Sequence, residues 1–582
     1  MKSFFKFFLA ALLALVIFSF ILFFLFVGWI AGITSKSRPF VEPKSVLVLD
    51  LSQGFKEQQV ESPLSPISNT DETDVPGLYD VVRLIRKAKD DNDIAGIYII
   101  ANSNANGFES SEEIRNALSD FKGSKKFIFA YGNVMSQKAF DVACVADRLY
   151  LNPTGDLEWV GFNVDYIFLK GTLDKLEIQP QIFYAGKYKS ATEPFRTDKM
   201  TPENKLQTTV WLNNLYKHFL LNASVARKVD SSTLFRLANS GAVQTAGDAL
   251  EYKLVDGLKY DDQVKDEMKN KLGVGRYDKI NFISINKYAR AGSFKRTGSE
   301  SIALIYAEGD IVDGSSAQPG IIAGDTYIRL IRKARLDRSI KAIVFRVNSG
   351  GGSALASENI LRELSLAKQD KPVVVSFGDV AASGGYYISC AADSIFAEPN
   401  TITGSIGVFG IIPNMESFFK NKLGVTFDGV KTGENADAGI FRPLSDNEKR
   451  MIQHSIEMTY SQFKERVATG RKKDTAYIES IAQGRVWSGD DAIKVGLIDR
   501  FGGLQDAVDC AARLAKTSDY RLREFPQPQS LLDRILGSSS DNYSTLEREL
   551  GEDNVRVFRQ LTRLKHITNT TQARLPFDIL IH

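Results

Sequence analysis

Cysteine and histidine are scarce in this 582-residue chain, with three of the first and four of the second. Cys144, Cys390 and Cys510 are too scattered for a disulfide framework or a CxxC metal site, so they read as small buried apolar groups. His218, His454, His566 and His582 show no HExxH-like spacing, which argues against a metal centre and against a Ser-His-Asp triad. Neither a metal nor a cofactor is expected. Charge of one sign is lacking too: 73 basic residues against 70 acidic ones leave a net charge of +3, and no basic stripe interleaved with aromatics stands out. Nucleic acid is therefore not an expected partner.

The composition, 43% hydrophobic and 25% charged, is that of a globular protein, and the length calls for two or more cores. One apolar run stands apart. Residues 7–33 carry no charge and are long enough to cross a bilayer as a helix, for which about 20 residues are needed. A cleaved signal peptide would have an apolar region of only about 7–15 residues and a small-x-small site, which this run lacks. Residues 1–34 are thus expected to be an uncleaved membrane anchor, touching the lipid bilayer through residues 7–33. Lys2 and Lys6 precede the run and Lys36 and Arg38 follow it, so flanking charge leaves orientation open. A single N-terminal anchor with nearly all the mass behind it implies that the bulk is exported.

Beyond the anchor the chain repeats itself. Arg83-Leu-Ile-Arg-Lys-Ala88 recurs as Arg329-Leu-Ile-Arg-Lys-Ala334, an offset of 329 − 83 = 246, and each string precedes a β-rich run, Ile94 to Ala101 and Ile340 to Val347. The offset persists from Asn102-Ser103 to Asn348-Ser349 and from Cys144 to Cys390, and shortens by a few residues between Ala249–Asp256 and Ala492–Asp499. Two copies of one α/β domain of about 200 residues or more are implied. The first is assigned residues 45–290 and the second 301–515, with a Gly/Ser/Lys/Arg-rich link between them and a tail, 516–582, that loses the repeat. Ser445-Asp-Asn-Glu448 reads as a capping box, followed by Ile452, Ile456, Tyr460, Phe463 and Val467 at helical spacing.

The two copies also differ in an informative way. In the second, the β-run Val373 to Val375 feeds a turn of small residues and then Ala382-Ser383-Gly384-Gly385, which opens a helix-like segment reaching Ala392. A serine there would sit at the positive end of a helix, beside N–H groups able to meet an oxyanion. Such a string also suits any tight turn under a sheet, so context must decide. Ser383 falls opposite Gln137 in the first copy, and the glycine-rich turn Asn348-Ser-Gly-Gly-Gly-Ser353 falls opposite Asn102-Ser-Asn-Ala-Asn-Gly107. The first copy keeps neither feature. It carries instead Gly186-Lys187-Tyr188-Lys189-Ser190, with Lys189 opposite Asn435. One copy offers a serine and the other a lysine, and a lysine held neutral by burial can serve as the serine's proton acceptor. Spacing alone leaves Lys187 and Lys189 both open as that base, and a solvated loop lysine is the plain alternative.

These strings, with Glu193-Pro194-Phe195, Ala382-Ser383-Gly384-Gly385-Tyr386-Tyr387 and Thr403-Gly-Ser405-Ile-Gly-Val408, resemble the signal peptide peptidase A family in its long, duplicated, membrane-anchored bacterial form. The resemblance implies tandem Clp-protease/crotonase-like domains and a serine-lysine peptidase that degrades cleaved signal peptides. It assigns Ser383 as nucleophile, Lys189 as general base and Ser405 as a partner of the lysine amine, with Gly351, Gly352 and Gly384 around the oxyanion. It also implies a homo-oligomer, a tetramer favoured, and a place in the bacterial inner membrane with the catalytic domains on the periplasmic side. The family's turn commonly reads Asn-Ser-Pro-Gly-Gly, and Gly350 stands here where that proline is expected, leaving the turn freer. Two rivals remain: a crotonase-like acyl-CoA enzyme, and a membrane-tethered scaffold that binds peptides without cutting them.

Overall fold

The computed structural model describes residues 6–8, 11–22, 39–59, 74–527 and 571–575. Residues 6–8 and 11–22 are helical, and the rest of the expected span lies outside the described residues. No helix among the described residues is long and apolar enough to cross a membrane.

The first repeat contributes strands β1 (Ser45–Asp50), β2 (Ile94–Ile100), β3 (Phe127–Met135), β4 (Arg148–Leu157), β5 (Gln179–Ala185), β6 (Gly257–Leu258) and β7 (Phe282–Ser284). The second contributes β8 (Glu300–Val312), β9 (Ile321–Ala323), β10 (Ile340–Ser353), β11 (Val373–Ala382), β12 (Ser394–Ala397), β13 (Ile402–Gly404), β14 (Val408–Asn414), β15 (Val486–Ser488), β16 (Arg500–Phe501) and β17 (Tyr520–Phe525). A short β18 (Gln572–Arg574) returns from the tail.

The first sheet runs β6-β4-β3-β2-β1-β7, and the second contains the same path, β16-β12-β11-β10-β8-β17, with parallel pairing throughout. The duplication read at an offset of 246 is therefore a duplication of topology. Parallel strands covered on both faces need near-continuous apolar runs, and Ile343, Val344 and Phe345 of β10 are fully buried. The duplicated Arg-Leu-Ile-Arg-Lys-Ala strings lie in helices Leu78–Asp90 and Gly324–Leu336, which bury Ile85 and Ala88 in one copy and Ile331 and Ala334 in the other. Ser445 and Glu448 form the expected capping box at the start of helix Asp446–Arg471, whose buried face includes Ile456, Tyr460, Phe463 and Val467.

Three features depart from the sequence reading. The second repeat's sheet continues past residue 515, because β17 pairs with β8 as β7 pairs with β1. Strand β5, though encoded in the first repeat, leaves that repeat's sheet and pairs antiparallel with β14 of the second, from Ala185 opposite Val408 to Gln179 opposite Asn414. The β-run before Ser383 is ten residues rather than three, and the helix after it ends at Tyr387 rather than Ala392.

The repeats are also joined by polar groups. Asp379 of β11 accepts hydrogen bonds from Glu109 N (2.9 Å), Ser110 N (3.2 Å) and Ser110 Oγ (2.6 Å) at the start of helix Phe108–Phe121. Nearby, fully buried Arg346 of β10 pairs with Glu57 (2.9 Å), Glu109 (3.1 Å) and Glu113 (2.9 Å) of the first repeat.

Candidate active site

Three strand ends meet at one point. β11 and β13 are parallel neighbours, with Ala382 opposite Gly404, so the residues that follow them, Ser383 and Ser405, emerge side by side at the carboxyl ends of the strands. Both turn sharply, with φ of +55° and +51°. Such a backbone costs about 1–3 kcal/mol at a non-glycine residue and persists only where its surroundings over-determine it. Here Ser383 N donates to Gly404 O at 2.8 Å, Tyr387 N donates to Ser383 O at 2.8 Å, and Ser405 N donates to Arg485 O at 2.7 Å.

The third strand end is that of β5. Its pairing with β14 carries the following turn, Gly186 to Ser190, out of the first repeat and against the second. Tyr188 N donates to Gln483 O at 2.8 Å, and a Cβ added to Gly484 would fall 2.6 Å from Lys189 N, so the two loops are in close contact. Gln207 fastens the same turn: its Nε2 reaches Tyr188 O (3.2 Å) and Ser190 Oγ (3.1 Å), and its Oε1 accepts from Val486 N (3.0 Å). Sequence reasoning missed Gln207, which lies in the long helix Pro202–Arg227 with no motif around it.

Lys189 Nζ lies 2.8 Å from Ser383 Oγ, 3.1 Å from Ser405 Oγ and 3.2 Å from Ser405 O. All three residues are at most 1% exposed. Burial, the sole cause, holds the Lys189 ammonium well below the ordinary lysine value. A neutral amine has one lone pair and two N–H groups, which matches these neighbours: the lone pair for the Ser383 hydroxyl and the N–H groups for the two Ser405 oxygens. Lys187 is exposed, with its ammonium 5.2 Å from the Tyr188 ring. In the first repeat, Gln137 at the Ser383 position binds backbone groups instead, its side chain meeting Val160 N, Gly161 N and Gly161 O. Asn435, opposite Lys189 in the repeat, is exposed on a loop.

The glycine turn forms the last part of β10. Gly351 N donates to Ser349 Oγ at 3.1 Å, so this N–H is already engaged, contrary to the expectation that it faces an oxyanion. Gly351 matters through what it lacks: with φ of +100°, a Cβ there would fall 2.1 Å from Ala573 O of β18 and 2.6 Å from Gly384 N. Gly352 is paired with Ala573 across the ladder, and the Ala573 carbonyl oxygen lies against Gly351 and Gly384. Gly350 is a strand residue whose carbonyl accepts from Leu575 N at 2.7 Å, so the turn is tied down without the usual proline. The helix after Ser383 has four residues and supplies little dipole, so the expected aid to an oxyanion falls to individual N–H groups.

A serine beside a buried amine at paired strand ends fits a peptidase, and comparison agrees. The model of peptidase family S49 matches residues 120–275 and again 365–518. The chain belongs to peptidase family S49. It is 39% identical over 480 residues to Protease 4 of Salmonella typhi, covering 81% of this chain and 77% of that one. It is 37% identical over 464 residues to Protease 4 of Haemophilus influenzae, covering 77% and 74%. It is 34% identical over 502 residues to the chloroplastic serine protease SPPA of Arabidopsis thaliana, covering 84% and 72%. Among solved structures, a ClpP1 mutant of Listeria monocytogenes matches 35% of this chain and 94% of its own at 14% identity, with a TM-score of 0.24, too low to bear on the fold. This S49 chain is a serine-type peptidase, and each of its two matched stretches contributes to the buried cluster: Lys189 comes from the first, Ser383 and Ser405 from the second.

Proposed function

We propose that this S49 peptidase degrades apolar peptides, cleaved signal peptides foremost, through Ser383 and Lys189 of a single chain. The observation that carries the reading is the 2.8 Å contact between a buried, charge-depressed amine and the hydroxyl of a strained serine. Neutral Lys189 accepts the Ser383 proton as Oγ attacks the peptide carbonyl carbon, and N–H groups of Gly352 and Gly384 stabilise the oxyanion. The C–N bond then breaks, and the Lys189 ammonium returns the proton to the leaving amine. Water, activated by the same amine, hydrolyses the acyl-enzyme and restores the serine. Ser405 holds the two N–H groups of Lys189 so that the lone pair points at Ser383.

The signal-peptide substrate rests on the relatives' family and on the apolar run at residues 7–33, which as a bilayer anchor would hold the enzyme where such peptides are released. In this reading the chain is a single-pass protein of a bacterial inner membrane with its Clp-protease/crotonase-like repeats on the periplasmic side. A homo-oligomer, a tetramer favoured, would cover the exposed Leu423, Val425, Val430 and Phe441 of the second repeat. Hydrolysis of an apolar signal peptide by the detergent-solubilised chain tests the reading. Ser383→Ala and Lys189→Ala should each lower the rate by about 100-fold or more, while Lys187→Ala should leave it unchanged; undiminished cleavage by Ser383→Ala would refute it.

A further inference from the structure

The last described stretch of the tail, Thr571 to Leu575, lies along the glycine turn beside Ser383 as a peptide would. β18 pairs antiparallel with the glycine end of β10, placing Gln572 opposite Ser353, Ala573 opposite Gly352 and Arg574 opposite Gly351. The ladder is continued by Ala354 N donating to Thr571 O at 3.1 Å and Leu575 N donating to Gly350 O at 2.7 Å. On its other side Gln572 pairs with Phe409 of β14. The Ala573 carbonyl oxygen sits between Gly351 and Gly384, the residue after Ser383: a Cβ on Gly384 would fall 2.9 Å from it. That register presents the Ala573–Arg574 bond, with the arginine on the leaving-group side.

Residues paired across neighbouring strands share a face of the sheet. Gly351 is paired with Arg574 on one side and with Asp310 of β8 on the other, so the three form one row. The middle residue has no side chain. Arg574 can therefore lie across it, and its guanidinium donates to Asp310 Oδ1 at 2.6 Å. The arginine is 9% exposed. Ala573, in the next row, is fully buried within the second repeat's apolar core, which favours a small residue there.

We propose that Asp310 selects a basic side chain immediately after the bond to be cut, with a small residue before it, and that the chain's own Thr571–Leu575 segment displays this register. The inference rests on the serine-lysine reading for the identity of the cut bond. Asp310 is a specificity-determining residue: it pairs with the side chain that follows the bond, across a glycine that must stay bare for the two to meet.

Two measurements on the full chain test it. In a Ser383→Ala background, where no bond is cut, amide hydrogen exchange over Thr571–Leu575 should be slow. Asp310→Arg should speed it, Asp310→Asn should speed it less, and Asp310→Arg combined with Arg574→Glu should restore slow exchange. With Ser383 intact, kcat/KM for peptides carrying Ala-Arg at the cut bond should exceed that for Ala-Ala by about tenfold, the value of one charge-assisted hydrogen bond. Asp310→Asn should erase that preference, and Asp310→Arg should favour Ala-Glu. Exchange that ignores the charge reversal and its rescue, or one order of peptide rates in all three proteins, would overturn the proposal. A chain that cuts none of the peptides yet shows the exchange rescue would overturn the serine-lysine reading and uphold the role of Asp310.

Discussion

At the scale of single residues, Lys189 links activity and stability to pH with calculable signs. In the proposed mechanism the neutral amine is the base, so kcat/KM should rise with pH and level off once the lowered Lys189 value is passed, well short of the rise to about 10.5 that an unperturbed lysine would give. The same shift costs stability. Between the lowered folded value and the ordinary unfolded one, the unfolded chain binds a proton that the folded chain does not, so stability rises with pH through that window and is lowest below it. Lys189→Met should therefore abolish cleavage yet raise stability at neutral pH by about 0.5–2 kcal/mol, read by denaturant melting. A destabilised Lys189→Met would show that the amine is held by more than its position. Ser405→Ala removes one acceptor and leaves the Ser405 carbonyl, so kcat should fall about tenfold with KM little changed.

At the scale of elements, the junction between repeats carries its own pH dependence. Glu57, pushed up to about 7 by burial against the opposing pull of Arg346, shares that guanidinium with Glu109 and Glu113. A folded value above the unfolded one contributes stability that is complete below about 4.5 and lost as pH rises through about 7, on the order of 3 kcal/mol for a shift of this size. Glu57→Gln should flatten thermal stability across that window, and an unchanged slope would place the titration elsewhere. Much of this level was legible in the sequence. The duplicated Arg-Leu-Ile-Arg-Lys-Ala strings announced matched helices, Ser445 and Glu448 a helix start, and the loss of serine at Gln137 an asymmetric pair of copies. The transfer of β5 to the partner sheet was not legible, because which strand a β-run pairs with leaves no periodicity in the run itself. Nor was β18: three residues of strand in a tail without pattern give no local signal, and only Gly351, bare between Asp310 and Arg574, marks the place.

At the scale of the whole molecule, the proposed mechanism divides labour between the copies. Each repeat keeps the sheet, and each lacks the residue that the other carries, so Lys189 meets Ser383 only because β5 crosses over. The sequence left it open whether such a pair forms within one chain or between neighbours; the 2.8 Å contact is made within one. Complementation distinguishes the two arrangements: Ser383→Ala and Lys189→Ala chains are co-expressed, purified together and assayed on the apolar peptide. No cleavage is expected at any ratio of the two, since no chain holds both groups, whereas cleavage recovered in the mixture would show that serine and lysine are drawn from different chains and would rule out a pair within one chain.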